Sequence, residues 1–372
     1  MPRCPSNNTL LPLLRKLSES LGEQQAKNEL RWLIEHARKE IADGINIQQR
    51  ILAQSTEHRL ARLWREQPAR STDEIEREGD RLSSVQRTWL RQAVADRTER
   101  HKPLQYIIGE QKFGMANIIV RPPVLIPRWE TEEWMLRLAE LINTHTTNAR
   151  EASATIPKPL NILEACTGSG CIALGLGCEL ADDSARILGV DVSADAMELA
   201  MDNLAFNQML LSNQVQFHRA DLQQAVHLLP TQLPVGEGGW DMLVSNPPYV
   251  TPSEYRELDA DVREWEDIRA LVPLPPGTAD PQHVSEKDMD PSGMAFVEQL
   301  AKLAKELGLA GESQRDDKAL HMGSLPRLVV EIGSTQQAQS ACQIMHDHGF
   351  SATEVWKDMA GADRVVLGFF KQ

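Results

Sequence analysis

No run of apolar residues in the sequence approaches the roughly 20 needed to cross a bilayer, so no membrane partner is expected. Positive charge is also in short supply. Lys and Arg number 39 against 53 Asp and Glu, a formal net charge of -14. Non-specific nucleic-acid affinity comes mostly from Lys and Arg neutralising phosphates, so a broad phosphate-binding surface is disfavoured and no stable nucleic-acid binding is expected. Cysteine is scarce: Cys4, Cys166, Cys171, Cys178 and Cys342 form no CxxC pair, and the ten histidines lack zinc-like spacing. No metal site is expected, and the thiols read as reduced in an intracellular compartment. There is no internal repeat and no low-complexity tract.

What is present is a 372-residue chain, 41% hydrophobic and 25% charged, long enough for one large domain and a smaller one. The first eighteen residues hold Arg3, Arg15 and Lys16 with no acid before Glu19, a composition shared by organelle-targeting leaders and by plain helical N-termini. Apolar residues recur at helical spacing at Leu30, Leu33, Ile34, Ala37 and Ile41, and again at Leu82, Val85, Trp89, Leu90 and Val94. Residues 1–102 are expected to form a small helical domain. Short strands are expected at Ile118–Val120 and Val124–Ile126, around Arg121-Pro122-Pro123. Residues 142–160 are polar and show neither period, so 103–160 is expected to be a connecting hairpin and linker.

From residue 161 to 372 strand-like and helical stretches alternate. Strands are expected at Ile162–Ala165, Ile187–Val190, Val215–Phe217, Met242–Val244, Leu328–Ile332 and Val365–Phe369, the pattern of a doubly wound α/β sheet. Gln223–Gly239 and the proline-rich acidic stretch Leu271–Pro291 read as excursions at its edge.

Two motifs carry chemistry. The first strand ends in Glu164-Ala165-Cys166-Thr167-Gly168-Ser169-Gly170 and runs into Cys171-Ile172-Ala173, a helix start. The glycines let the backbone turn tightly against a ligand, and the helix N-terminus offers free N–H groups. About twenty residues on, Asp191 closes the next strand, placed to accept hydrogen bonds from ribose hydroxyls or to cap the helix near Ser193. This pattern alone does not separate a nicotinamide cofactor from S-adenosylmethionine.

The second motif, Ser245-Asn246-Pro247-Pro248-Tyr249, follows the strand Met242–Val244. Each proline holds the residue before it extended and lacks an N–H, so the loop is rigid and rich in acceptors. The Asn246 side-chain carbonyl and the Pro247 backbone carbonyl are placed to accept both N–H bonds of a planar NH₂ group, with Tyr249 offering a stacking face. Those acceptors stabilise the positive charge an amide nitrogen gains as it attacks a sulfonium methyl.

Together these residues resemble class I S-adenosylmethionine methyltransferases acting on exocyclic or amide nitrogens, among which DNA adenine and RNA guanine enzymes carry similar loops. Within that class, Pro103-Leu104-Gln105-Tyr106-Ile107, Gly109, Phe113, Val124-Leu125-Ile126-Pro127-Arg128 and Glu130-Thr131-Glu132 resemble the segment preceding the catalytic domain of release factor glutamine methyltransferases. Glu331-Ile332-Gly333, Ala360-Gly361, Arg364-Val365 and Leu367-Gly368 are similar to that family's last strands, so the likeness runs from about residue 97 to the end.

The resemblance implies a Rossmann-like seven-stranded sheet, S-adenosylmethionine as methyl donor, and a peptide chain release factor as partner, methylated on the glutamine of its Gly-Gly-Gln motif. It implies that Glu164, Thr167, Gly168, Ser169, Gly170, Asp191, Asp221, Leu222 and Asn246 hold the cofactor, and that Asn246, Pro247, Pro248 and Tyr249 hold the glutamine. Arg128, Glu130 and Glu132 are expected to shape the cofactor pocket, whereas Trp265 and Glu266 read as a partly exposed helix face. The likeness to organelle members favours mitochondria, with the cytoplasm as alternative. Two other readings stay open. The basic stretch Arg97 to Lys102 suits a nucleic-acid amino methyltransferase. Glu164 and Cys166, standing where the family usually has Asp and Gly, suit a silent cofactor-binding adaptor.

Overall fold

A computed structural model describes residues 10–40, 77, 81–152, 158–222, 239–275, 278, 284–285, 287, 289–309 and 325–370. The first nine residues of the leader-like start, nearly all of the Gln223–Gly239 excursion and parts of Leu271–Pro291 lie outside the described residues. The chain divides into two compact units, Met1–Glu110 with Ala260–Trp265, and Gln111–Asp259 with Glu266–Gln372.

In the first unit, helices α1 (Leu11–Leu21), α2 (Glu23–Glu40), α3 (Ser84–Glu99) and α4 (Leu104–Ile108) follow one another. Leu14, Leu17, Leu30, Leu33, Ile34, Leu90 and Val94 meet in one core, which is what three- and four-residue apolar spacing requires of packed helices. A capping box starts α3: the Ser83 hydroxyl accepts from Gln86 N at 3.2 Å, and Ser83 N donates to Gln86 Oε1 at 2.8 Å. That start puts Val85 in the first turn, 63% exposed, so it faces away from the core its spacing suggested.

The basic stretch Arg97 to Lys102, which begins in the last turn of α3, is largely engaged within the unit. Arg97 is buried, donating from Nε to Glu29 Oε2 at 3.0 Å and from Nη1 to Asp261 Oδ2 at 3.2 Å. Arg100 pairs with Asp96, and Lys102 stands over the Trp265 ring. Removing one partner of a buried pair strands the other charge, at about 3–5 kcal/mol. Arg97→Ala should therefore destabilise the protein by about that much in denaturant unfolding, whereas Arg15→Ala, which breaks only the exposed pair with Glu19, should cost no more than about 1 kcal/mol.

The second unit opens with a hairpin, β1 (Glu110–Phe113) and β2 (Ala116–Ile119), and a long helix, α5 (Trp129–Ala152). The strand expected at Val124–Ile126 does not form. The adjacent prolines Pro122 and Pro123 have no N–H to give a ladder, and the chain turns instead, Val124 N bonding Arg121 O at 3.0 Å. Nor is 142–152 an irregular connection, because it completes α5. Met135, Leu138, Ile142 and Thr146 fall on its buried face, and the polar Thr146 hides the helical period.

The sheet is formed by β3 (Leu160–Ala165), β4 (Ala185–Asp191), β5 (Gln214–Arg219), β6 (Met242–Ser245), β7 (Leu328–Glu331), β8 (Ala352–Lys357) and β9 (Asp363–Phe369), in the order β5-β4-β3-β6-β7-β9-β8. The first five run parallel, and β9 is antiparallel to both β7 and β8. Helices α6 (Cys171–Glu179), α7 (Ala194–Asn207), α8 (Ala295–Glu306) and α9 (Thr335–Asp347) cover it. Strands β3, β6 and β7 are buried at every position, as expected of parallel strands with helices on both faces. This is the class I methyltransferase arrangement.

The strand order reverses between β3 and β6, where ligands bind in open α/β sheets. Ala165 and Ser245, the last residues of those strands, are paired in register, and the Ser245 hydroxyl donates to Ala165 O at 2.8 Å. The glycine turn and the proline loop therefore leave the sheet side by side.

Candidate functional site

Between β3 and α6 the chain takes left-handed backbone angles three times in five residues, at Cys166 (φ 59°), Gly168 (φ 54°) and Gly170 (φ 80°). Gly170 is required twice over, because a Cβ there would stand 2.6 Å from Phe217 Cζ. Gly168 has open space on its Cβ side. Asp191, at the end of β4, clamps the turn: Oδ2 accepts from Gly168 N and Oδ1 from Ser193 N, both at 2.9 Å. Ser193, not Asp191, caps α7 through its hydroxyl. Each Asp191 oxygen keeps a second lone pair for a ligand.

A cavity of about 270 Å³ opens beside this turn. Of the residues expected to hold cofactor, Gly168, Asp191, Asp221, Leu222 and Asn246 lie on its wall, as does Cys166. Glu164, Thr167, Ser169 and Gly170 do not; they are buried beneath the turn. Glu164 Oε2 accepts from the Thr167 hydroxyl and from Ala173 N, while Oε1 is buried with no partner. The residues on the wall fit S-adenosylmethionine: an acid at the end of β4 with lone pairs to spare for a ribose, and Asp221-Leu222 for an adenine.

The cavity wall also includes Asp267 and Arg269, which sequence reasoning missed. They pair with each other, and Asp267 N bonds Pro123 O at 2.8 Å. No motif announces them. Arg128 does not line the cavity; it pairs with Glu266, which is also off the wall, only 5% exposed and outside any helix, contrary to the partly exposed helix face expected of it. Neither Glu130 nor Glu132 lines the cavity; Glu132 Oε1 accepts from Gly114 N at 3.0 Å and so braces the hairpin.

Of the proline-loop residues, Asn246 and Pro248 line the cavity, Pro247 is buried, and Tyr249 turns its hydroxyl inward to Glu331 Oε1 at 3.1 Å. Glu331 was legible only as part of a motif, an acid ending an apolar strand. It is 1% exposed, and its Oε2 accepts from the Thr131 hydroxyl and from Trp134 Nε1, both at 2.7 Å. Asn246 Nδ2 donates to the Thr131 oxygen at 3.1 Å. The Tyr249 carbonyl accepts from Gln337 Nε2 at 2.8 Å. Burial pushes the Tyr249 hydroxyl and the Glu331 and Asp191 carboxyls above their ordinary values.

Burial likewise raises Glu164 from 4.5 to about 8, against the opposing bonds from Thr167 and Ala173. In the unfolded chain the group loses its proton at lower pH than in the folded protein. Its contribution to stability is therefore complete in acid, falls as pH rises from near 4.5, and is gone above about 8. Without cofactor, Glu164→Gln should flatten the decline of the melting temperature across that window; an unchanged pH profile would count against a raised Glu164.

No protein-family profile matches the chain. Among curated proteins, the mitochondrial MRF1 N(5)-glutamine methyltransferase MTQ1 of Saccharomyces cerevisiae is 36% identical over 174 residues, 46% of this chain and 50% of that one. A probable MRF1 mitochondrial N(5)-glutamine methyltransferase of Schizosaccharomyces pombe is 31% identical, covering 72% of this chain and 75% of its own length. The release factor glutamine methyltransferase of Bacteroides thetaiotaomicron is 32% identical, with 73% and 77% covered. The chain spans about half the length of the first of these and 46% of a bifunctional methyltransferase from Rickettsia felis. Identity at this level across most of the Schizosaccharomyces and Bacteroides proteins, on a class I sheet with both loops at the switch point, shows that the chain belongs to the release factor glutamine methyltransferase family.

Proposed function

We propose that this protein transfers a methyl group from S-adenosylmethionine to the side-chain amide nitrogen of the glutamine in the Gly-Gly-Gln motif of a peptide chain release factor, and that it does so in mitochondria. The observation that carries the reading is Asn246: its amide lies on the cavity wall beside the glycine turn, and its Oδ1 takes no hydrogen bond from a described residue. The mitochondrial setting is supported by the names of the two yeast relatives.

In this reading Asp191 takes the ribose hydroxyls, Asp221 and Leu222 border the adenine, and Glu164, off the cavity wall, braces the glycine turn through Thr167 and Ala173. The donor supplies an electrophilic methyl on a sulfonium. The chain's own task is to hold a weak nucleophile in line with it. Asn246 Oδ1 and the Pro247 carbonyl would accept the two N–H bonds of the glutamine amide, which orients the nitrogen lone pair and stabilises positive charge as the N–C bond forms and the methyl–sulfur bond breaks, its electron pair leaving with a neutral thioether. The nitrogen then gives one proton to water, leaving an N-methyl amide, so no strong base is needed. Because Pro247 and Pro248 fix the backbone, these acceptors need little reorganisation during the reaction.

With methyl-labelled donor and a release factor, wild-type protein should label the factor and leave a variant factor with asparagine in place of the motif glutamine unlabelled. Asn246→Ala should lower turnover by about 10²–10³-fold, the effect of removing one electrostatic partner of a transition state. Calorimetric affinity for S-adenosylmethionine should change much less. Full turnover in that variant would overturn the assignment.

A further inference from the structure

The acceptor role of Asn246 demands more than its presence. A side-chain amide has a donor end and an acceptor end of nearly the same shape, and rotation by half a turn exchanges them. Turned the wrong way, Asn246 would present its NH₂ to the NH₂ of a bound amide, donor against donor. Some neighbour must set the direction.

We propose that Thr131 is a positioning residue which, held by Glu331, fixes the Asn246 amide with its carbonyl oxygen toward the cavity. The Thr131 hydroxyl has one proton, and that proton is committed to Glu331 Oε2 at 2.7 Å. Its oxygen is therefore left as an acceptor, and the group 3.1 Å away has to be the Asn246 NH₂. The commitment does not depend on the charge of Glu331. Trp134 Nε1, which can only donate, also points at Oε2 from 2.7 Å, so a proton on the carboxyl belongs on Oε1, where Tyr249 Oη at 3.1 Å can accept it. In either state Oε2 accepts, Thr131 donates to it, and Asn246 donates to Thr131. The direction set by an indole N–H is passed through two side chains to the oxygen facing the substrate.

The inference rests on the proposed acceptor role of Asn246, and it adds a residue that touches no substrate. Thr131→Val keeps the shape and removes the hydroxyl, leaving the Asn246 amide free to turn. Turnover on the release factor should fall about 10–100-fold, less than loss of Asn246 itself, with KM for the factor and affinity for S-adenosylmethionine within a few-fold of wild type. Thr131→Ser should restore turnover. A Thr131→Val enzyme as fast as wild type, or a serine variant that fails to rescue, would each overturn the relay.

An arm without substrate separates this failure from failure of the substrate reading. The Asn246 side-chain NH₂ signal in nitrogen-15 NMR spectra, assigned by its loss in Asn246→Ala, should exchange with water more slowly in wild type and Thr131→Ser than in Thr131→Val. Equal exchange in all three would sink the relay. Normal protection without methylation of any release factor would sink the substrate reading alone.

Discussion

The buried carboxylate of Glu331 is the constraint around which the acceptor side of the site is organised. Taking a carboxylate out of water costs several kcal/mol unless donors replace the lost solvent. Here the replacements are three neutral side chains, two from the first turns of α5 and one from the loop after β6. Satisfying this one acid therefore pins the end of β7, the start of α5 and the proline loop to one another. Gln337 makes a second tie from α9, donating to the carbonyls of Tyr249 and Ser292 and accepting from Gly333 N. The space left for these contacts is narrow: a Cβ on Gly293 would stand 2.2 Å from Tyr249 O, and one on Gly333 would stand 3.0 Å from the Tyr249 ring.

The parts legible in the sequence were those whose physics is local. Parallel strands covered on both faces are apolar at every position, so β3, β6 and β7 announce themselves. A turn that needs left-handed angles must spend glycines, and a loop that must stay extended shows its prolines. What could not be read depends on partners far along the chain. Strand β8 is an edge strand with Trp356 as its one buried position, so it carries no alternation to detect. The second half of α5 loses its period because its inward positions include Thr146. Thr131 and Glu331 are 200 residues apart, and nothing in either local stretch says that one serves the other.

Cys166 shows where a family pattern and a physical need diverge. A residue with a Cβ sits there at φ 59°, in the region that glycine enters freely and other residues enter at about 1–3 kcal/mol. Its neighbours hold it there. Thr167 N bonds Val190 O at 3.0 Å, and Asp191 takes the N–H of Gly168 at 2.9 Å, so the backbone on the far side of Cys166 is fixed to β4. Cys166 is among the residues of the cavity wall, and its side chain packs against the hydrophobic core of the sheet.

The two sides of the site are rigid for opposite reasons. The glycine turn is rich in N–H groups, and its order comes from acceptors close by, Asp191 and Glu164, on the strands that flank it. The proline loop has given up two N–H groups and cannot satisfy or brace itself through its own backbone. Its order has to come from side chains of other elements, and the bonds from Thr131, Glu331 and Gln337 supply it. That asymmetry explains why the glycine turn reads as a compact motif in sequence while the proline loop reads as four residues with no visible support. A loop that bares its carbonyls is, for the same reason, a loop whose scaffold lies elsewhere in the chain.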